Sequence, residues 1–287
     1  MTPSPRWYDE TLYDDVRQGF VADRVLYEGE TGFQKIRIIE NSRLGRVLFL
    51  DDIVQTTEAD EHIYHEMMVH VPLFAHGRAR RVLIIGGGDG GILEEVLKHD
   101  VEKAVMVELD GGVVDICRTY LPGISNNAFD DPRTELIIGD GARYVAESAG
   151  EFDVIISDST DPIGPAEVLF GETFYGNCRK RLSPGGIMVA QNGVPFFQGD
   201  EVTTSYRRLH PLFADVTFYL APVPTYYGGA MTLAWAALDA GARNRDQAEL
   251  AARIDAQGLD LRYYNADIHR ACFALPEGIR RLMRLTD

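Results

Sequence analysis

Two kinds of hydrophobic spacing divide this chain. Between residues 6 and 64, short runs alternate apolar with polar side chains and are broken by turn residues. Val25-Leu26-Tyr27-Glu28, Lys35-Ile36-Arg37-Ile38-Ile39-Glu40 and Arg46-Val47-Leu48-Phe49-Leu50 have this form. A period of two predicts antiparallel strands joined by tight turns such as Glu40-Asn41-Ser42-Arg43. Between Asp60 and Phe74 the period changes: Ile63, Met67, Val71 and Phe74 recur at helical spacing, which predicts a helix leading into a second region.

From Arg81 onward, all-apolar runs alternate with Gly-rich or Asp-rich loops and helical segments. The runs are Val82-Leu83-Ile84-Ile85, Ala104-Val105-Met106-Val107, Glu135-Leu136-Ile137-Ile138, Val154-Ile155-Ile156-Ser157 and Ile187-Met188-Val189-Ala190. A strand that is apolar on both faces belongs in a sheet covered by helices on both sides. The chain is therefore α/β, with a doubly wound parallel sheet preceded by a small antiparallel β region. The boundary is set at 1–64 and 65–287. The Ala-rich stretch near 236–252 reads as a connection and a surface helix.

Charge narrows the possible ligands. Of 287 residues, 44 are Asp or Glu and 28 are Lys or Arg, a net charge of −16. Nucleic acid is disfavoured as a partner, because affinity for phosphate comes from Lys and Arg. A small cation would be drawn in. The three cysteines, Cys117, Cys178 and Cys272, are too few and too scattered for a disulfide framework or a zinc cluster. No apolar run is long enough to cross a bilayer, and the N-terminal residues lack a signal-peptide pattern. A cytoplasmic protein with no metal and no membrane partner is the expectation.

Ligands of doubly wound sheets bind beyond the carboxyl ends of the strands, so the loops after the apolar runs carry the candidate chemistry. The first, Gly86-Gly87-Gly88-Asp89-Gly90-Gly91, joins a strand to a helix and fits both dinucleotide and adenosylmethionine patterns, with Gly86 and Gly88 allowing close approach. Asp89 would repel a pyrophosphate or the carboxylate of ordinary S-adenosylmethionine. It suits a ligand that keeps an amine and lacks the carboxylate, unless it only caps the helix. Glu108, about 20 residues on, stands where an acid accepts from ribose hydroxyls; Asp110 reads as a helix cap. Asp140, with Gly141 beside it, either meets the adenine amino group or caps a helix. The fourth loop, Ser157-Asp158-Ser159-Thr160-Asp161-Pro162-Ile163-Gly164-Pro165, sends out two carboxylates three residues apart. One can take a proton from an amine. The other can hold an ammonium.

Together these loops resemble the spermidine synthase family, bacterial members most closely. Val54-Gln55-Thr56-Thr57-Glu58, Tyr64-His65-Glu66-Met67-Met68, the run 82–91, the run 158–165, Pro224-Thr225-Tyr226-Tyr227-Gly228-Gly229 and Arg262-Tyr263-Tyr264-Asn265 look like its motifs and span nearly the whole chain. The resemblance implies a Rossmann-like, methyltransferase-type fold and a homodimer or homotetramer. It implies Asp158 as proton acceptor. His65, Asp89, Asp158, Ser159, Thr160 and Asp161 match positions lining the polyamine site, with Tyr64 and Tyr226 beside them. Gln34, Gln55, Gly86, Gly88, Glu108, Asp140, Gly141 and Pro165 match the side that takes decarboxylated S-adenosylmethionine or methylthioadenosine. Gly139 departs from close bacterial relatives, which often carry Asp there.

The implied reaction moves an aminopropyl group from decarboxylated S-adenosylmethionine, a co-substrate rather than a cofactor, to putrescine, giving spermidine. The sulfonium leaving group is already cationic and asks for no metal. Two other readings remain open at this stage: an S-adenosylmethionine-dependent amino-methyltransferase and a non-catalytic polyamine-binding protein. Choice among putrescine, cadaverine, agmatine and spermidine as acceptor depends on pocket length, which the sequence leaves open.

Overall fold

The computed structural model describes residues 5–161 and 164–284. Pro162 and Ile163 of the fourth loop, and the side chain of Pro165, lie outside the described residues.

The chain opens with a ribbon of β1 (Arg6–Asp9) and β2 (Gly19–Ala22). A four-stranded antiparallel sheet follows, in the order β3 (Arg24–Glu30), β4 (Lys35–Asn41), β5 (Gly45–Leu50), β6 (Ile53–Thr57). The β4–β5 turn sits slightly later than expected, because the Asn41 side chain accepts from the backbone N–H groups of Arg43 and Leu44 and Gly45 takes a positive φ. Asp51 and Asp52 close the β5–β6 hairpin with φ of 48° and 63°, the left-handed pair that a two-residue hairpin requires.

Helix α1 (Glu61–His76) links this sheet to the second region, where β7 (Arg81–Gly86), α2 (Gly91–Leu97), β8 (Lys103–Glu108), α3 (Gly111–Tyr120) and α4 (Pro122–Ser125) come next. They are followed by β9 (Thr134–Ile138), α5 (Gly141–Glu147), β10 (Phe152–Asp158), α6 (Glu172–Arg181), β11 (Leu182–Gln191) and α7 (Gly199–Leu209). The chain ends with β12 (Asp215–Ala221), β13 (Met231–Ala237), α8 (Gln247–Gln257), α9 (Ala266–Ala271) and α10 (Glu277–Leu282). The seven-stranded sheet has the order β12-β13-β11-β10-β7-β8-β9. Strands β9, β8, β7, β10 and β11 are parallel, as the apolar runs predict, and β13 runs antiparallel to both its neighbours. The sheet is thus mixed, and Ala236 and Ala237, read from sequence as part of a connection, belong to the wholly buried β13. The helix expected in that stretch starts at Gln247 and runs to Gln257.

Alternation along the strands builds two cores. Val82 and Ile84 point to the face covered by α1, α2 and α8, while Leu83 and Ile85 point to the face covered by α5, α6, α7 and α10. A smaller cluster joins Ile36, Ile38 and Leu48 of the N-terminal sheet to Val113 and Cys117 of α3 and Ile124 of α4. That contact seats the antiparallel sheet over the carboxyl ends of the parallel strands.

Helix α1 is buried from Tyr64 through Ala75, polar residues included. A helix enclosed on all sides must satisfy its buried polar groups internally. Glu66 does so by accepting from the backbone N–H groups of Arg262, Tyr263 and Tyr264 at 2.8, 2.9 and 2.7 Å. Just before α1, Asp60 accepts from the Thr225 backbone N–H and hydroxyl at 2.9 and 2.8 Å and from Thr57 at 2.6 Å. Two of the sequence motifs, 224–229 and 262–265, are therefore tied down at α1. Glu66→Gln puts an N–H where an acceptor is needed, so it should lower stability by roughly 2–4 kcal/mol. A chemical-denaturation midpoint equal to wild type would show that these bonds do not anchor the C-terminal segment.

Candidate active site

The carboxyl ends of the parallel strands and the inner face of the N-terminal sheet enclose a cavity of about 670 Å³. Its walls include all the sequence-predicted site residues except Pro165, whose side chain lies outside the described residues. The floor depends on one close approach. Gly86 ends β7 with φ of 84°, and a Cβ there would sit 1.9 Å from the Asp158 carbonyl oxygen. The Gly87 N–H donates to that same oxygen at 3.1 Å. The first and fourth loops are thus bonded backbone to backbone, which brings Asp89 and Asp158 into one site.

Glu108 stands at one end, the last residue of β8. Its carboxyl accepts from the Asp110 N–H at 2.8 Å. Burial pushes its pKa up to about 7, with the nearby Asp110 and Asp158 adding to the rise against that backbone bond. Such a carboxyl gains from hydroxyl donors. Asp110 caps α3 through the Gly112 N–H at 3.0 Å and also accepts from Gln34 Nε2 at 3.0 Å and Thr31 Oγ1 at 2.6 Å, so the cap holds Gln34 at the cavity wall. Asp140 caps α5 through the Arg143 N–H at 3.1 Å, the second of its alternatives, and also lines the cavity. Gly141 lies beside it against Ile85.

Towards the middle, Tyr64 donates its hydroxyl to Asp158 Oδ1 at 2.6 Å. Burial raises the Asp158 pKa to about 6 and the neighbouring Asp89 adds to the rise, while the Tyr64 bond and His65 oppose it. Tyr226 meets Tyr64 edge-on, with centroids 6.0 Å apart, and donates its hydroxyl to the Gln55 carbonyl. That bond ties the N-terminal sheet to the 224–229 loop across the cavity. The Gln55 side chain donates to the Ile53 carbonyl at 3.2 Å. Asp89 accepts from the Gly91 N–H at 2.9 Å, and its other oxygen lies 3.5 Å from His65 Nε2. His65 is interior and has both ring nitrogens engaged, the second with Glu61 at 2.7 Å.

The far end is lined past Ser159 and Thr160. Asp161 accepts from Gln191 Nε2 at 2.9 Å and Gln198 Nε2 at 3.0 Å, and burial raises its pKa. Two further carboxyls lie near Asp161, and Glu10 also lines the cavity. Glu10, only 4% exposed and bonded to the Val54 N–H at 3.1 Å, has a pKa pushed to about 7 by burial, with Asp161 adding to it. Glu201, one oxygen of which is buried without a partner, is pushed to about 8 by burial and by Asp161.

Glu10, Gln191, Gln198 and Glu201 escaped the sequence reading. Gln191 follows the apolar run of β11 directly, so the rule that pointed to the other loops also points to it. Glu10 carries no local signal, because it reaches the cavity only through the β1–β2 ribbon. No group of three or more His, Cys, Asp or Glu with metal-binding geometry occurs among the described residues.

The arrangement can place a nucleoside against Glu108 and Asp140 and a cationic chain along Asp89, Asp158 and Asp161. Known proteins are similar to this chain along nearly its whole length. The sequence model for the spermine/spermidine synthase domain matches residues 61–245, and the model for the spermidine synthase tetramerisation domain matches residues 6–58. A polyamine aminopropyltransferase of Sodalis glossinidius is 57% identical over 278 residues, 96% of each chain. Polyamine aminopropyltransferase 1 of Pseudomonas aeruginosa is 58% identical over 271 residues, 94% of this chain and 95% of its own. A crystal structure of a spermidine synthase in complex with the transition state analogue AdoDATO superposes with a TM-score of 0.92 at 42% identity, covering 98% of this chain and 96% of that one. Spermidine synthase from Thermotoga maritima gives 0.89 at 40% identity, covering 98% and 95%. With both regions matched in order and a carboxylate-lined cleft formed between them, this chain belongs to the spermine/spermidine synthase family.

Proposed function

We propose that this chain is a spermidine synthase, which transfers the aminopropyl group of decarboxylated S-adenosylmethionine to putrescine and releases S-methyl-5'-thioadenosine. The observation that carries the reading is the set Asp89, Asp158 and Asp161 lining a single cavity together with Glu108 and Asp140. A nucleoside sulfonium with a cationic tail and a diammonium chain both find counter-charges there. The methyl donor of the rival reading carries a carboxylate that Asp89 would meet with like charge. The names of the relatives also support aminopropyl transfer.

The chemistry is a single displacement. The putrescine nitrogen forms a bond to the carbon beside sulfur, the C–S bond breaks, and its electron pair neutralises the sulfonium. The nitrogen sheds a proton to Asp158. Tyr64 occupies Asp158 Oδ1 and leaves the other oxygen as acceptor. In the free protein a carboxyl with a pKa near 6 is ionised at neutral pH and still more basic than an exposed carboxylate. Asp161, steadied by two glutamines, takes the distal ammonium, with Glu10 close by. Holding both reactants in line supplies much of the rate. The displacement is driven by the sulfonium charge and draws on no Lewis acid.

The N-terminal sheet forms the wall over the nucleoside end and, through the tetramerisation-domain match, also serves assembly into a homo-oligomer. Trp7 on β1, 60% exposed, gives the β1–β2 ribbon beside that sheet an apolar outer feature suited to a partner copy. No helix among the described residues is long and apolar enough to cross a membrane.

Asp158→Asn should lower kcat by roughly 10²–10⁴-fold with the melting temperature preserved. Near-wild-type turnover at saturating putrescine would remove Asp158 from the proton-acceptor role. The pH profile has a defined sign as well. The Asp158 pKa is raised, so in the free protein its base form is lost as pH falls through about 6, and kcat/KM should drop on that acid limb. Tyr64→Phe removes a bond that lowers this pKa, so the limb should move to higher pH. An unmoved limb, read from initial rates of methylthioadenosine release, would separate Tyr64 from the base.

A further inference from the structure

We propose that Glu61 is a positioning residue for aminopropyl transfer: with His65 and Asp89 it forms a carboxylate–imidazolium–carboxylate relay that holds Asp89 in its working place. The proposal rests on the function proposed above, since it takes Asp89 as a group that meets the substrate's nitrogen.

Geometry makes the case. Glu61 and His65 are one turn apart on α1, and Glu61 Oε2 lies 2.7 Å from His65 Nδ1. The opposite ring nitrogen lies 3.5 Å from Asp89 Oδ2. An imidazole between two carboxylates satisfies both only when both nitrogens carry hydrogen. A neutral ring would turn a lone pair on one of them. The ring cannot swing away, because the His65 side chain is 3% exposed and packs on Gly91 so closely that a Cβ there would sit 2.1 Å from its Cε1. Asp89 is held from its other side as well, by the Gly91 N–H at 2.9 Å. Both oxygens of Asp89 thus have a donor set by the fold, and the carboxylate faces the cavity in one orientation.

The surroundings favour the charged ring. Burial alone would discharge His65, but Asp89 and Glu61 outweigh it and hold its pKa well above the usual value. Other groups also face the relay. Arg262 sits 3.9 Å from Glu61 on the outer side, and His62 lies on the same helix. Glu95 of α2 senses the imidazolium. Asp158 of β10 has its pKa lowered by it, and the Tyr226 hydroxyl lies in the field of Asp89. The imidazolium therefore offsets the repulsion between Asp89 and Asp158 before any substrate arrives.

Glu61→Gln keeps the shape and one acceptor oxygen while removing the outer charge. The test combines histidine ring nitrogen NMR with kinetics across pH. In the wild type, the His65 signal, assigned by its loss in His65→Asn, should remain that of an imidazolium beyond pH 8. In Glu61→Gln it should titrate at least about one pH unit lower. A raised histidine pKa is a stabilisation present at low pH and lost as pH rises, so the kinetic defect should grow on the alkaline side. The ratio of variant to wild-type kcat should fall steadily as pH rises above 6.5 and approach a roughly tenfold loss once pH exceeds both histidine pKa values, the limit that one pKa unit sets. On the alkaline side the KM for putrescine should stay near its wild-type value, because the variant then lacks one negative charge at Glu61 and one positive charge at His65; general structural damage would raise KM at every pH. A neutral His65 at pH 7 in the wild type, or a titration unchanged in Glu61→Gln, overturns the relay. The NMR titration is made on the free protein. A wild type that releases no methylthioadenosine from the two substrates, yet shows the expected titration, would instead sink the functional reading.

Discussion

A carboxylate taken out of water costs several kcal/mol unless donors or a positive charge meet it. This fold takes many of them out of water, and the way each is met sorts structure from chemistry. Glu66 collects three backbone N–H groups and Asp60 collects donors from Thr57 and Thr225. These carboxylates are fully occupied and act as anchors. Asp158, Glu108, Asp161 and Glu10 are each met in part, and their pKa values rise because of it. In the reading proposed above, a sulfonium, an ammonium or a ribose hydroxyl would supply the unmet remainder.

Neither region owns the cleft. The parallel strands deliver Asp89, Glu108, Asp140 and Asp158 at their carboxyl ends, while the N-terminal part delivers Glu10, Gln34 and Gln55. The join is made by α1, which carries Tyr64 to Asp158 and His65 to Asp89, and by Tyr226 reaching the Gln55 carbonyl. A helix buried along most of its length is a rigid base for such placement. Its interior position explains why Tyr64 and His65 are buried like core residues and also line the cavity.

The five parallel strands were legible because each carries a short run of apolar residues, followed in four of them by Gly or an acid and in β11 by Gln191. Strand β13 was not, because Ala dominates its second half and Ala favours no pleated surface. Its place comes from insertion between β11 and β12, a tertiary choice that leaves no local mark. The same split runs through the site. Asp89, Glu108, Asp140 and Asp158 stand where a strand stops and could be found by rule. Glu10, Gln198 and Glu201 come from a ribbon and from around the start of α7, and only folding brings them to Asp161. Reading Asp110 as a cap was right but incomplete, since the same carboxylate also holds Gln34.

The fit of the His65 ring against Gly91 has a consequence for descent. No side chain can be added at 91 while the imidazole stays, and the 2.1 Å clearance leaves no room for a gradual exchange. Lineages that keep the histidine must inherit the glycine with it. A lineage that loses the ring frees the neighbouring position to drift, so the two sites pass through ancestry as a single unit.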